Sequence, residues 1–278
     1  MASLELTSTR SPRVQAARRL AKRAFRAADK RFLAEGPQAV REAVADPGRV
    51  VEVFVTAEAA LRHGEILGRA QEAGLPVHRV SGEVMAAIAQ TVTPQGIAAV
   101  CMVLDVPLAS VLARRPRLVA VLAHARDPGN AGTVIRCADA AGADAVVLTS
   151  ASVDVYNPKC VRASAGSVFH LPVVVGPRPD DAVAALHAAG LQVLAADGAG
   201  PADLDELADS NGLAEPTAWL FGNEAWGLPD ELAGLADTVV RVPIYGAAES
   251  LNLATAAAVC LYASARAQRS SGAPRGPR

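Results

Sequence analysis

The spacing of apolar positions changes several times along the chain, and the changes mark out its elements. Residues 13–28, "RVQAARRLAKRAFRAA", place Val14, Ala17, Leu20, Ala21, Ala24 and Phe25 at helical spacing, with arginines on the remaining positions. From Phe32 helical and extended runs alternate. "EGPQAVREAVA" predicts a helix and "VVEVFVT" (Val50 to Thr56) a strand. "AALRHGEILGRAQEAG" predicts a helix ending at Gly74, "PVHRVS" a short strand, "GEVMAAIAQ" a helix and "GIAAVCMVL" (Gly96 to Leu104) a strand. Together these make a small α/β module. An exit linker follows at Pro107 to Pro116, "PLASVLARRP".

A longer module comes next. "RLVAVLAHA" (Arg117 to Ala125) reads as a strand, "AGTVIRCADAAG" as a helix closed by Gly142, and "ADAVVLTS" as a strand. "NPKCVRASAGSVF" is helical or mixed, "LPVVVG" a strand, and "DDAVAALHAAG" a helix ending at Gly190. "LQVLAAD", "TAWLFG" and "TVVRVPI" are three more short apolar runs, and a last helix runs from about Leu251 to Gln268. Continuous apolar strands alternating with helices predict an α/β fold, a parallel sheet with helices on both faces. The expected organisation is a basic arm at 1–28, a small α/β domain at 29–106, a linker at 107–116, the larger domain at 117–268, and a disordered tail at 269–278.

Composition sharpens this picture in two ways. Hydrophobic residues make up 51% of the 278, enough for a substantial core. The formal net charge is −1, yet residues 10–31 hold nine Lys or Arg against one Asp, a local +8 that leaves −9 for the rest. Such asymmetry points to a basic arm or face, either a solvated surface helix or a phosphate-contacting one. Cys101, Cys137, Cys160 and Cys260 form no CxxC pair, so no metal site is expected and each reads as a buried thiol. No apolar stretch is long enough to span a membrane, and the N-terminus lacks the apolar core of a signal peptide, so the expectation is a cytoplasmic protein.

Three loops follow strand ends, where open α/β sheets place ligands. In "HARDPGNAGTVIRCADAAG" (His124 to Gly142) a helix opens at about Ala131 with Asn130 as its cap, and Arg136 follows inside it. That pair can hold a phosphate or an alkoxide, or be no more than a cap and a surface arginine. There is no GxGxxG and no GxxxxGK[ST], so a nicotinamide oxidoreductase or P-loop reading has no fingerprint. In "AWLFGNEAWGLPDEL" (Ala218 to Leu232) Glu224 sits between two glycines, just past a strand. In "VPIYGAAESLNLATAAAVC" (Val242 to Cys260) Ser250 or Asn252 can cap the last helix, which is almost entirely small and apolar from Leu253 to Ala263 and so is expected to be buried on all sides. Such a helix is a core element or, in addition, a dimer interface.

"NAGTVIRCADAAGADAVVL", "LFGNEAWGL" and "VPIYGAAESLNLATAAA" resemble the three signature motifs of the SpoU (TrmH) family of RNA ribose 2′-O-methyltransferases, in the SPOUT superfamily. Order and spacing also agree, over more than 120 residues. "NPKCVRASAGSVFHLPVVV" is similar to the sequence between those motifs. "RFLAEGPQAVREAV…VTPQGIAAV" resembles the small L30e-like substrate-binding domain that many members carry. The resemblance covers about residues 12 to 268.

It implies a C-terminal trefoil knot, a homodimer through the knot region and last helix, and S-adenosyl-L-methionine as cofactor. The implied cofactor residues are Leu220, Phe221, Gly222, Asn223, Gly227, Val242, Pro243, Ile244, Leu251, Asn252 and Leu253. At Gly222 a missing side chain would let the cofactor press on the backbone. The implied catalytic residues are Asn130, Arg136, Glu224, Ser250 and Asn252. The family often gives Arg136 the role of general base. A guanidinium does not ordinarily deprotonate, so a phosphate clamp and alkoxide stabiliser is the preferred role and the base stays open. Glu224 would orient Arg136 or the ribose. RNA is expected to bind Arg18, Arg19, Lys22, Arg23 and Arg26 on the arm, with Lys159 and Arg162 between the motifs. The expected substrate is large-subunit (23S) rRNA. The alternatives are tRNA, or a non-catalytic RNA-binding role in ribosome assembly. Trp226 either walls the cofactor pocket or packs beneath the following helix.

Overall fold

The computed structural model describes residues 5–89, 91–223 and 225–270. Within the chain two compact units form. The first takes Met1–Leu104 together with Tyr156–His170, and the second takes Asp105–Val155 and Leu171–Arg278.

The first unit holds a four-stranded sheet of β1 (Arg31–Glu35), β2 (Val50–Val55), β3 (Val77–Arg79) and β4 (Ile97–Met102), in the order β1-β4-β2-β3. β4 runs antiparallel to both its neighbours, and β3 runs parallel to β2. The apolar pattern does not predict β1. Phe32 through Glu35 are all buried, so the strand has no alternation, and five residues do not stand out from the helix that follows, Pro37–Ala45. The helix expected across residues 59–74 is broken at His63 into Ala57–Arg62 and Gly64–Glu72.

The basic arm also differs from expectation. It is two helices, Pro12–Arg19 and Arg23–Asp29. Val14, Ala17 and Leu20 join Val84, Met85 and Ile88 in the unit's core, whereas Ala24 and Phe25 are exposed. The arm is therefore packed structure, with no break in packing at residue 28. Arg26 turns inward, 3% exposed, and its guanidinium donates to the Leu20 and Ala21 carbonyls, both at 2.8 Å. Those carbonyls close the first helix, where a cation is favoured. This buried role removes Arg26 from the expected phosphate-binding set.

Residues 156–170 lie in sequence between two strands of the other unit, yet they pack here. The Leu104 amide donates to the Tyr156 hydroxyl at 2.6 Å. The Phe32 ring lies 4.7 Å from Tyr156 and 5.9 Å from Phe169, centroid to centroid. Arg162 pairs at 3.1 Å with Glu35, whose carboxylate is almost fully buried. The Arg162 guanidinium is thus anchored to an internal partner while a third of the side chain stays exposed.

The second unit is a seven-stranded sheet. Its strands are β5 (Leu118–Leu122), β6 (Ala145–Leu148), β7 (Val173–Val175), β8 (Gln192–Ala196), β9 (Ala202–Asp203), β10 (Thr217–Phe221) and β11 (Thr238–Arg241). Their order is β7-β6-β5-β10-β8-β11-β9, and every pairing is parallel. β5, β6 and β10 are buried at every position, as their unbroken apolar runs require. One face carries Val119, Val121, Ala218 and Leu220 against Val183 and Leu186 of the Pro179–Ala188 helix. On the other, the Trp219 indole donates to Ser264 of the last helix at 2.8 Å. Strand order reverses between β5 and β10, which are neighbours, and the loops leaving them open at the sheet's carboxyl edge.

The expected linker contains a helix, Leu108–Leu112, whose Val111 belongs to this core. The last helix is Leu253–Ser270. It is not buried all round: Ala254, Ala257, Cys260, Leu261, Ser264, Ala265 and Gln268 face the protein, while Val259 and Tyr262 are exposed. Of the expected tail 269–278, Arg269 and Ser270 are helical, and the remainder lies outside the described residues. No helix among the described residues is long and apolar enough to cross a membrane.

Just past β10 the chain turns back tightly. Asn223 N–H donates to the Gly227 carbonyl at 2.7 Å, and Gly227 N–H to the Asn223 carbonyl at 2.9 Å. A β-carbon at Gly222 would lie 2.3 Å from the Gly227 carbonyl carbon and 2.6 Å from the Leu228 nitrogen. The place of a side chain is taken by the chain's own return.

Two expectations follow. Gly222→Ala drives a methyl into backbone that cannot swing aside, an overpacking cost of about 2–3 kcal/mol. The thermal midpoint should fall by several degrees, and an unchanged midpoint would contradict the close crossing. Among the thiols, burial raises Cys101 and pushes Cys260 up to about 12, and Cys160 is buried, whereas Cys137 is half-buried. Burial raises Cys137 too, opposed by the Arg136 charge. A maleimide should label Cys137 alone in the native protein and all four after unfolding.

Candidate active site

The first loop leaves β5 at Leu122 and enters the helix Pro128–Ala141. Asp127 caps that helix, its side chain accepting from the Asn130 amide at 2.9 Å, and Pro128 takes the first helical position, where its missing N–H costs nothing. This corrects the expected cap. Asn130 lies one turn in, and its side chain is available for tertiary contact. The Asp-Pro pair was the signal for the true cap. Gly142, in the left-handed conformation, closes the helix as expected. Arg136 is exposed on this helix and pairs with no other described residue.

The second loop is the hairpin after β10. The Asn223 side chain is buried, with its amide donating to the His124 carbonyl at 2.8 Å and its oxygen accepting from the Ala225 amide at 2.8 Å. His124 itself has φ +57°, a left-handed turn that directs its carbonyl to Asn223. No local sequence signal announces this tie, because its partners are 99 residues apart. Leu220 and Phe221 are buried in the sheet, and the Phe221 carbonyl accepts from Ala123. Their side chains serve the core, so a ligand would meet at most their backbone. Glu224 lies outside the described residues.

The third loop leaves β11 and reaches the last helix. Asn252 caps that helix, its side-chain oxygen accepting from Ala254 at 2.9 Å and Thr255 at 3.4 Å. The same side chain donates to Asn130 Oδ1 at 3.1 Å. One amide therefore caps one helix and grips the first turn of another. From Ile244 to Leu251 no backbone group bonds to another described residue, and the Tyr245 hydroxyl donates to Asp205. Val242, Pro243, Leu251 and Leu253 are half-buried, and Ile244 and Ser250 are exposed.

Three loops thus meet at the sheet's carboxyl edge, tied by Asn223 and Asn252. A ligand with a flat heterocycle and polar edges needs apolar flanks and a few backbone groups. The stretch Ile244–Leu251 offers both, so these residues fit an adenine-bearing cofactor. Of the basic residues expected to meet RNA, Arg18, Lys22 and Arg23 are exposed and pair with no other described residue, and Lys159 is exposed. Arg19 is held by Asp29 at 2.7 Å and lies over Phe25.

Residues 117–262 match the SpoU rRNA Methylase family, and residues 11–99 match the MRM3-like substrate binding domain. The 23S rRNA (guanosine(2553)-2′-O)-methyltransferase RlmP of Bacillus subtilis is 36% identical over 93% of this chain and 98% of its own length. An AdoMet-bound rRNA methyltransferase from Sinorhizobium meliloti superposes with a TM-score of 0.80 at 31% identity, covering 95% of this chain and 97% of that one. The SpoU methyltransferase AviRb from Streptomyces viridochromogenes, in complex with AdoMet, also gives 0.80 at 31% identity, over 94% and 100%. With the family match spanning more than half its length, this chain belongs to the SpoU rRNA methylase family.

Proposed function

We propose that this protein transfers a methyl group from S-adenosylmethionine to a ribose 2′-hydroxyl of 23S rRNA, in the cytoplasm. The observation that carries the reading is the Asn252–Asn130 bond, which brings the first and third motif loops into one site. The relatives named 23S rRNA 2′-O-methyltransferases and the AdoMet-bound neighbours support it.

The cofactor, when bound, supplies an activated methyl group. The hairpin at Gly222 and the backbone of 242–251 hold it, with Ile244, Leu251 and Leu253 flanking the adenine. A ribose hydroxyl is a weak nucleophile, so the site must stabilise charge as its proton leaves. Arg136 takes that role, its guanidinium clamping a phosphate and facing the developing alkoxide. Glu224 orients Arg136 or the ribose, and Asn130, Ser250 and Asn252 bond the hydroxyl or its neighbours. The last strands and helix form a trefoil knot, one of the rare exceptions to unknotted topology. Exposed Val259 and Tyr262 on the last helix pack against a second copy, making a homodimer. Arg18, Lys22, Arg23 and Lys159 neutralise backbone phosphates.

The first experiment maps 2′-O-methylation in RNA from cells with and without the protein, beside calorimetry with S-adenosylmethionine. One 23S site should vanish with the protein. No cofactor binding would end the enzymatic reading. Arg136→Lys keeps the charge but loses the planar fork, so kcat should fall about a hundredfold with RNA affinity nearly unchanged. Near-normal turnover would exclude a specific guanidinium role.

Replacing Arg18, Lys22 and Arg23 with Ser should make the slope of log affinity against log salt shallower by about two. This triple variant is a cleaner probe than deleting residues 1–28, because deletion also strips Val14, Ala17 and Leu20 from the core. An unchanged slope would remove the arm from RNA binding.

A further inference from the structure

Trp226 belongs to neither core. It is 53% exposed, at the tip of the hairpin that Asn223 and Gly227 close. Exposure on this scale rules out packing beneath the following helix, and it leaves a large aromatic face with a polar N–H edge open to a ligand. It is not loose, however. The Arg126 guanidinium lies over the ring, 4.9 Å from its centroid. Arg126 is two residues past His124, whose carbonyl is held by Asn223, so the two loops that carry the indole and the guanidinium are tied directly to each other. Asp127, the next residue, caps the helix that presents Asn130 and Arg136.

Resting on the rRNA reading above, we propose that Trp226, backed by Arg126, is a stacking platform for one unpaired nucleobase of the RNA substrate at the mouth of the site. The chemistry favours a nucleobase. An indole with a cation on one face offers a rigid aromatic surface and a positive charge together, which matches a flat base joined to a phosphate. Unpaired RNA bases are commonly held by stacking on aromatic side chains or guanidinium planes, and such stacking tolerates any base. The platform places the ribose attached to that base, or the next one, beside Asn130 and Asn252. It binds and positions, and no proton or methyl passes through it.

The chain contains two tryptophans, and Trp219 is fully buried, so a change in accessible indole emission reports Trp226. Acrylamide should quench part of the emission of the full-length protein, and Trp226→Leu should abolish that part. A ten-nucleotide oligoadenylate should quench the same component and shield it from acrylamide. An abasic ten-unit ribose phosphate, bound to equal saturation, should not. Trp226→Leu should raise KM for a 23S rRNA transcript about ten- to a hundredfold with S-adenosylmethionine affinity unchanged, and Trp226→Phe should recover much of the loss.

The platform is overturned if oligoadenylate saturates the protein without changing Trp226 emission, or if the abasic polymer has the same effect. Shielding by S-adenosylmethionine alone would assign the residue to the cofactor wall instead. Acrylamide inaccessibility in the RNA-free protein would assign it to an interface between copies. Failure of the 23S transcript to bind in a filter assay would sink the rRNA reading itself, whereas transcript binding with unchanged emission sinks only the platform.

Discussion

Backbone meets backbone at Gly222, and the rest of the site follows from that contact. The hairpin can fold back on β10 only because no β-carbon stands between them. Its closure by Asn223 and Gly227 sets where the Asn223 side chain points, and that side chain fixes the loop leaving β5 through the His124 carbonyl. The fixed loop presents Asp127, which starts the helix carrying Asn130 and Arg136. Asn130 in turn meets Asn252, the cap of the final helix. A steric requirement at one residue thus passes through four hydrogen-bonding side chains to three loops.

The sheet and its ties work on different energy scales. β5, β6 and β10 are buried on both faces and make a rigid base, since every apolar side chain they carry leaves water. The ties above them are single hydrogen bonds donated by the Asn223 and Asn252 side chains, each worth about 1 kcal/mol net. Loops held this way are ordered, yet open more readily than the strands beneath them. Binding sites are drawn from that low-stability end of a structure because ligand must enter and product must leave.

What could be read from sequence was what depends on local pattern. Unbroken runs such as "LVAVL" and "TAWLF" announce buried parallel strands, and Gly142 announces a helix end. The three loops were recognisable because their residue types recur at fixed spacing. The features that escaped depend on distant partners. β1 has no alternation because Phe32 is covered by Tyr156 and Phe169, more than a hundred residues away. Arg26 reads as a surface cation until the Leu20 and Ala21 carbonyls claim it. Arg126 and Trp226, a hundred residues apart, carry no mutual signal in the sequence. At the start of the Pro128–Ala141 helix the sequence offers two equally good capping types three residues apart, Asp127 and Asn130, and the fold selects Asp127.

The segment Tyr156–His170 changes what counts as a module. A fragment ending at Leu104 would lack the rings that cover Phe32, the hydroxyl that receives the Leu104 amide and the cation that neutralises Glu35. The N-terminal unit is therefore encoded by two separate stretches of the gene, and the second lies between the two stretches that encode the other unit. Recombination at the apparent border near residue 104 would exchange only part of it. Descendants that acquired a new substrate-binding unit by such a crossover would inherit a mismatched patch, and the two pieces are expected to vary together over evolutionary time.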